Sequence, residues 1–244
     1  MSCAVIIDTE TTGIDEPDVI ELAWMGPLHA MTPPDQPIER VRFKPRKPIA
    51  LGALATHHIL DEELEEKPQW MGVWFPPGRP EYIVGHAIDF DWQAIGCPTE
   101  LRRICTLALA RRLWPELDSH SLAALTYHFA ADRRVAREEL RSAHGAAKDV
   151  ELCCRLLGHI LAAMPRVQSW DRLYDASERA RVPLHLTFGK YGPKSEWAKA
   201  SGQLKGLPIG ELRRFDPGYL SWLLSGKCDQ VNEDPYLKKA LEAA

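Results

Sequence analysis

Asp8 and Glu10 are the residues whose type and spacing first suggest chemistry in this chain. They close the β-branched run Val5-Ile6-Ile7, which has Cys3 and Ala4 before it and Gly13 after it. Such a run predicts a short buried strand. Side chains alternate along a strand, so Asp8 and Glu10 share one face and Thr9 takes the other. Two carboxylates side by side at the end of a buried strand repel each other, and a fold tolerates that when a cation lies between them. Oxygen-only ligands suit Mg²⁺ or Mn²⁺ rather than zinc. A lone D-x-E is common, so its meaning depends on further acids and a base downstream.

Two later segments supply them. Val84-Gly85-His86-Ala87-Ile88-Asp89-Phe90-Asp91-Trp92 leaves a buried strand and turns into a helix, a natural place to present a carboxylate at a sheet edge. Asp89 and Asp91 compete for that role, and taken alone either is more often a helix N-cap than a ligand. Ser142-Ala143-His144-Gly145-Ala146-Ala147-Lys148-Asp149 leads into an apolar helix. His144 precedes Asp149 by five residues with glycine and alanine between, so a flexible lead-in carries the histidine while the helix carries the acid.

The elements that must position these groups are readable in order. Val19 to Trp24 predicts a second strand in a hairpin with the first, and Arg40 to Pro45 alternates as a third strand with one wet face. Ile49 to Ile59 is helix-like, and Tyr82 to His86 is a short strand closed by glycine. A strand ends near Ile104-Cys105 and a helix starts near Thr106. Ser121 to Phe129 and Asp149 to Met164 are further apolar-periodic helices. The expected architecture is α/β, a mixed sheet flanked by helices over residues 1–165. A helical linker follows at 166–182. A small α+β C-terminal module occupies 183–244, with a strand at Leu184 to Phe188 and Asp216-Pro217 opening a helix.

Composition narrows the classes. The 244 residues are 45% hydrophobic and carry a net charge of −4, ordinary for a globular protein and neutral on nucleic acid as a partner. No apolar run is long enough to span a membrane, and the N-terminus lacks a signal peptide. The six cysteines show no C-x-x-C pair and point to a reducing cytoplasm.

Asp8-x-Glu10, an aspartate after a V-x-H-x-x-x-F-D element, and H-x-x-x-x-D together resemble the DEDDh branch of the DnaQ-like 3′–5′ exonucleases, collinearly over residues 4–160. The resemblance implies a ribonuclease H-like fold, and it selects Asp91 over Asp89 as the third acid. Asp8, Glu10, Asp91 and Asp149 then hold two Mg²⁺ ions, with Mn²⁺ able to substitute, and His144 is the general base. It further implies that Thr9, Thr12, Gly13, Ile14 and His57 meet the terminal nucleotide. Ile14 reads equally as a base-stacking group and as a hairpin-turn contact. The expected product is a 5′-mononucleotide released from a DNA 3′ end, with RNA as the alternative substrate. A nucleic-acid-binding adaptor acting through the C-terminal module is the reading from another class.

Motifs at Ala110 to Pro115, Thr187 to Tyr191 and Asp216 to Leu223 resemble a narrower bacterial branch of the same family. About a dozen extra residues near Ser195 to Leu207 depart from it. Arg133, Arg134, Arg137 and Arg141 are the best candidates for tracking a phosphate backbone. Lys190, Lys194, Lys199 and Lys205 with Phe188, Tyr191, Trp197, Tyr219 and Trp222 suit either single-strand binding or a small autonomous core that folds by itself or serves oligomerisation, a dimer among the options.

Overall fold

The computed structural model describes residues 2–31, 36–141 and 145–244. They form two compact units, 1–177 and 178–244. The first is built on a five-stranded mixed sheet. Its strands are β1 (Ala4–Thr11), β2 (Val19–Leu28), β3 (Glu39–Arg42), β4 (Tyr82–Gly85) and β5 (Arg102–Cys105), in the order β3-β2-β1-β4-β5. β1, β2 and β3 pair antiparallel, whereas β1–β4 and β4–β5 pair parallel. Six of the eight positions of β1, Ala4 to Ile7, Thr9 and Thr11, are buried, so β1 is the centre of the core in position and in burial.

Helices cover this sheet: α1 (Leu51–His57), α2 (Asp89–Ala94), α3 (Thr106–Leu113), α4 (Leu122–Phe129), α5 (Arg133–Arg141), α6 (Ala146–Ala163) and α7 (Trp170–Arg181). The strand-to-helix switch at Cys105/Thr106 and the Ser121 cap of α4 fall where the sequence places them. In α6, Val150, Cys153, Leu156, Leu157 and Ile160 recur at helical spacing and are buried, which makes a stripe that packs on β1 and β2. This fold agrees with the expected ribonuclease H-like sheet flanked by helices. Most of the stretch expected as a linker is helix α7, whose Ser177 hydroxyl accepts the Cys105 amide at 2.8 Å.

The second unit is helical: α8 (Glu196–Ser201), α9 (Leu212–Phe215), α10 (Pro217–Leu223), α11 (Asp229–Glu233) and α12 (Pro235–Glu242). The strand expected at Leu184 to Phe188 is reduced to one bridge between His185 and Pro208, so the module is helical rather than α+β. A single bridge suffices because the segment's backbone is otherwise taken by Leu207, through the Leu186 amide at 2.9 Å. The dozen extra residues fold as α8, capped by Ser195. Asp216 caps α10 with Pro217 in its first turn, as read from the sequence. Its carboxylate also accepts the Tyr191 hydroxyl at 2.6 Å and the Lys190 ammonium at 2.7 Å. Tyr191 packs edge-on against Trp197, Phe215 and Tyr219. Tyr191, with Phe188, Trp197 and Tyr219 packed around it, belongs to the unit's own core, whereas Lys190, Phe215 and Trp222 are exposed.

Candidate metal centre

Four carboxylates reach the end of the central strand from three elements. Asp8 and Glu10 lie on the same face of β1, half-buried, between fully buried neighbours. Asp149 comes from the first turns of α6. One ligand oxygen from each of these three lies within 4.8 Å of the others. Asp91 arrives from α2 and is buried; one of its oxygens accepts both the Thr9 amide at 2.9 Å and the Thr9 hydroxyl at 2.8 Å. The topology explains that contact. β1 pairs with β4 only as far as Ile6, so the Thr9 amide has no strand partner on that side, and α2 supplies an acceptor instead. Gly85, between β4 and α2, is needed because a Cβ there would meet Ile88 at 2.7 Å and the Ile7 carbonyl at 3.2 Å.

Asp89 does something different. Its carboxylate pairs with Arg103 at 2.7 Å and is exposed to solvent. Geometry thus separates the two aspartates, with Asp91 turned to the other acids and Asp89 away from them. His144 lies outside the described residues.

The electrostatics are those of acids awaiting a cation. Burial, then Asp91, Asp149, Glu10 and Glu21, hold the Asp8 carboxyl well above its ordinary range. Burial, reinforced by Asp149, Glu21 and Asp91, pushes Glu10 up to about 8. Asp91 is raised to about 7 by burial, against the lowering effect of the Thr9 hydrogen bonds. Burial also raises Asp149. Among the described residues none of the four makes an ion pair. Even Lys148, next to Asp149 in sequence, gives its ammonium to Glu139 at 2.5 Å and Glu151 at 2.8 Å. An oxygen-only donor set without a basic side chain fits a hard divalent cation such as Mg²⁺ or Mn²⁺.

A pH dependence follows, with its sign set by the raised values. In chelator, both folded and unfolded chains are protonated at these acids below about pH 4. As pH rises the unfolded chain ionises first, while the folded chain holds protons on Asp91 up to about 7 and on Glu10 up to about 8. Stability is therefore fully present at low pH and falls as pH climbs through that window. The acids whose values are lowered, Asp18, Glu63, Glu139 and Asp216, have finished titrating before it. The melting temperature in chelator is expected to drop by about 5 °C between pH 5 and pH 8. Mn²⁺ is expected to reverse the trend, and a flat calorimetric profile in chelator would show that the acids are already ionised and solvated.

The residues expected to meet substrate divide in two. Thr12, Gly13 and Ile14 form the turn beyond β1. Thr12 pins it by exchanging hydrogen bonds with Asp18, its amide donating to the Asp18 carbonyl at 2.9 Å and its hydroxyl accepting the Asp18 amide at 3.1 Å. Arg46 clamps Asp18, and the Lys47 ammonium donates to the carbonyls of Asp15 and Glu16. On this braced turn Ile14 is 84% exposed. The Ala50 amide donates to the Thr12 carbonyl at 2.8 Å, so Leu51, 83% exposed at the start of α1, stands beside the same turn. By contrast, Thr9 is committed to Asp91, and His57 is buried with its Nδ1 accepting the Ile59 amide at 2.9 Å. His57 Nε2 makes no hydrogen bond among the described residues, and burial lowers the ring's pKa.

Sequence reading missed Leu51, the Asp18–Arg46 clamp and the buried Glu21. Glu21 had a visible signal: it is the one charge inside the apolar strand Val19-Ile20-Glu21-Leu22-Ala23. The basic residues of α5 partly serve the helix itself, since Arg137 and Arg141 pair with Glu138.

No family model matches the chain. It is 28% identical over 231 residues to exodeoxyribonuclease 10 of Escherichia coli K12, an alignment covering 90% of both chains. Among solved structures it is similar to exonuclease X in complex with 5′-overhanging duplex DNA, at 25% identity and a TM-score of 0.54, over 71% of this chain and 99% of the other. It also shares its fold with E. coli exonuclease I in complex with a dA16 oligonucleotide, at 16% identity and a TM-score of 0.53, over 77% of this chain and 46% of that one. In sequence over nine-tenths of its length, and in fold over 71% of it, the chain is thus similar to exonuclease X and resembles the DEDDh exonucleases.

Proposed function

We propose that the protein is a metal-dependent 3′–5′ exodeoxyribonuclease that releases 5′-mononucleotides from DNA 3′ ends. The observation that carries this reading is the convergence of Asp8, Glu10 and Asp149 within 4.8 Å, with Asp91 alongside and no basic side chain paired to any of them among the described residues. Asp8, Glu10, Asp91 and Asp149 would hold divalent ions, which when bound would polarise a water and offset charge on the departing 3′ oxygen. The chain's own groups do the rest. His144 takes the proton of the attacking water. The braced Thr12-Gly13-Ile14 turn, with Leu51 beside it, receives the last nucleotide against an exposed apolar surface. Exonuclease X and exonuclease I were each solved with DNA, which supports DNA as the substrate here. Residues 1–165 are the nuclease and 183–244 an accessory module joined by 166–182, in line with the division into two compact units near Ser177. Six free thiols suit a reducing cytoplasm, and among the described residues no helix is long and apolar enough to cross a membrane.

The test is a time course on single-stranded DNA and RNA of one sequence, labelled at either end, with Mg²⁺, Mn²⁺ or chelator. The expected result is metal-dependent release of 5′-dNMPs from the 3′ end, with RNA cut at least about tenfold more slowly. Preference for RNA would make it an exoribonuclease with the same site, and release from the 5′ end would overturn the polarity. Binding without cleavage would move attention to an adaptor role.

A further inference from the structure

Glu21 is a fully buried carboxylate outside the metal-ligand set. It stands in β2 directly across from Glu10, so both side chains project from the same face of the sheet. Its two oxygens go to different partners. Oε2 accepts the Arg42 Nε–H at 2.6 Å, and Arg42 in turn reaches Glu63 at 2.9 Å. Oε1 accepts the Ala146 amide at 3.1 Å, from a residue 125 positions away in the chain.

Ala146 opens α6, and its amide is one of the donors that a helix cannot satisfy internally. Residues at the position before a helix usually cap such donors with their own side chain, and Gly145 has none. The cap comes from the sheet instead. Gly145 itself has φ +133°, and a Cβ there would stand 2.7 Å from Glu21 Oε1, so the glycine makes room for the carboxylate. Asp149 lies one turn further along the same helix.

We infer that Glu21 is a positioning residue for the metal centre: its bond to Ala146 fixes the start of α6 against β2 and so holds Asp149 in range of Asp8 and Glu10. The inference rests on the nuclease reading of the site. The competing explanation is a plain stabilising ion pair with Arg42, which ties β2 to β3 and has no need of α6.

Full-length Glu21→Met, which keeps the volume and removes the acceptor, and Glu21→Gln, which keeps an oxygen for Ala146, separate the two. Mn²⁺ affinity is measured by titration calorimetry without substrate, alongside kcat and KM on single-stranded DNA and melting in chelator. Glu21→Met is expected to bind Mn²⁺ about 10–100-fold more weakly and to lose kcat to a similar extent with KM nearly unchanged. Glu21→Gln is expected to recover Mn²⁺ affinity to within about threefold of wild type, even where its melting temperature falls through loss of the charge facing Arg42. Wild-type Mn²⁺ affinity in Glu21→Met, or a Glu21→Gln as impaired as Glu21→Met, overturns the inference. Should Glu21→Met not fold, Gly145→Ala decides, since its methyl pushes on Oε1: weakened Mn²⁺ binding supports the role and wild-type binding overturns it. A wild-type protein that binds Mn²⁺ but cleaves nothing would sink the nuclease reading alone.

Discussion

Asp8→Asn is expected to raise the melting temperature of the chelated protein while removing its nuclease activity. Asp8 suffers the repulsion of Asp91, Asp149, Glu10 and Glu21 on top of burial, so neutralising it relieves the folded state without changing shape or volume. The same change deletes a ligand from the three-carboxylate cluster. Turnover is expected to fall by about 10⁴-fold, the scale at which loss of one member of a catalytic set acts. The chelated protein is expected to melt several degrees higher, about 2–4 °C for each kcal/mol relieved in a domain of this size. The gain in melting temperature that wild type shows with Mn²⁺ should vanish. Calorimetry with and without Mn²⁺, read beside a nucleotide-release assay, checks all three. A variant that melts lower than wild type in chelator would mean that Asp8 is a structural carboxylate, and the account of the site would fail with it.

His144→Ala is expected to leave binding in place and stop the chemistry. A general base contributes about 10²–10⁴-fold, and turnover should fall by that factor. Affinity for Mn²⁺ and for a single-stranded oligonucleotide should stay within about threefold, because the carboxylates that hold the cation come from β1, α2 and α6. The pH–rate profile adds a separate signature. Imidazole ordinarily titrates near 6.5, so the wild-type rate should climb through that region and the variant's residual rate should lose the corresponding limb. Near-normal turnover in His144→Ala would remove the residue from the mechanism.

How legible the protein was in its sequence depended on the range of the interaction involved. β1 with its D-x-E, the switch at Cys105/Thr106 and the Asp216-Pro217 cap were readable because strand runs and helix caps are written in neighbouring residues. The choice between Asp89 and Asp91 was not written in neighbouring residues, since both sit in the first turn of α2, and only the family resemblance pointed to Asp91. It turns on Thr9 and Arg103, the first 82 positions from Asp91 and the second 14 from Asp89. Glu21 lay further still from local reading, as its partner Ala146 is brought to it only by the packing of α6 on the sheet. The C-terminal strand was misread because the β-prone residues Leu184 to Phe188 meet no neighbouring strand. With no ladder to join, Leu186 is buried in a helical core with Phe188 packed against it, while Leu184 and Thr187 face solvent.

The hairpin of β1 and β2 departs from regular pairing between Glu10 and Thr11, after the last acid of the strand and before the braced turn. The ladder from Ile6 to Glu10 is thereby insulated from whatever happens at residues 13–17, which are solvent-facing for most of their length. Insertions or deletions in that turn change the surface offered to an incoming strand end without shifting the carboxylates by a register step, which would turn them to the opposite face. On the proposed reading the carboxylates and the nucleotide-facing turn thus lie on separately adjustable parts, and the tip of this hairpin is where new end-structure preferences would be grafted.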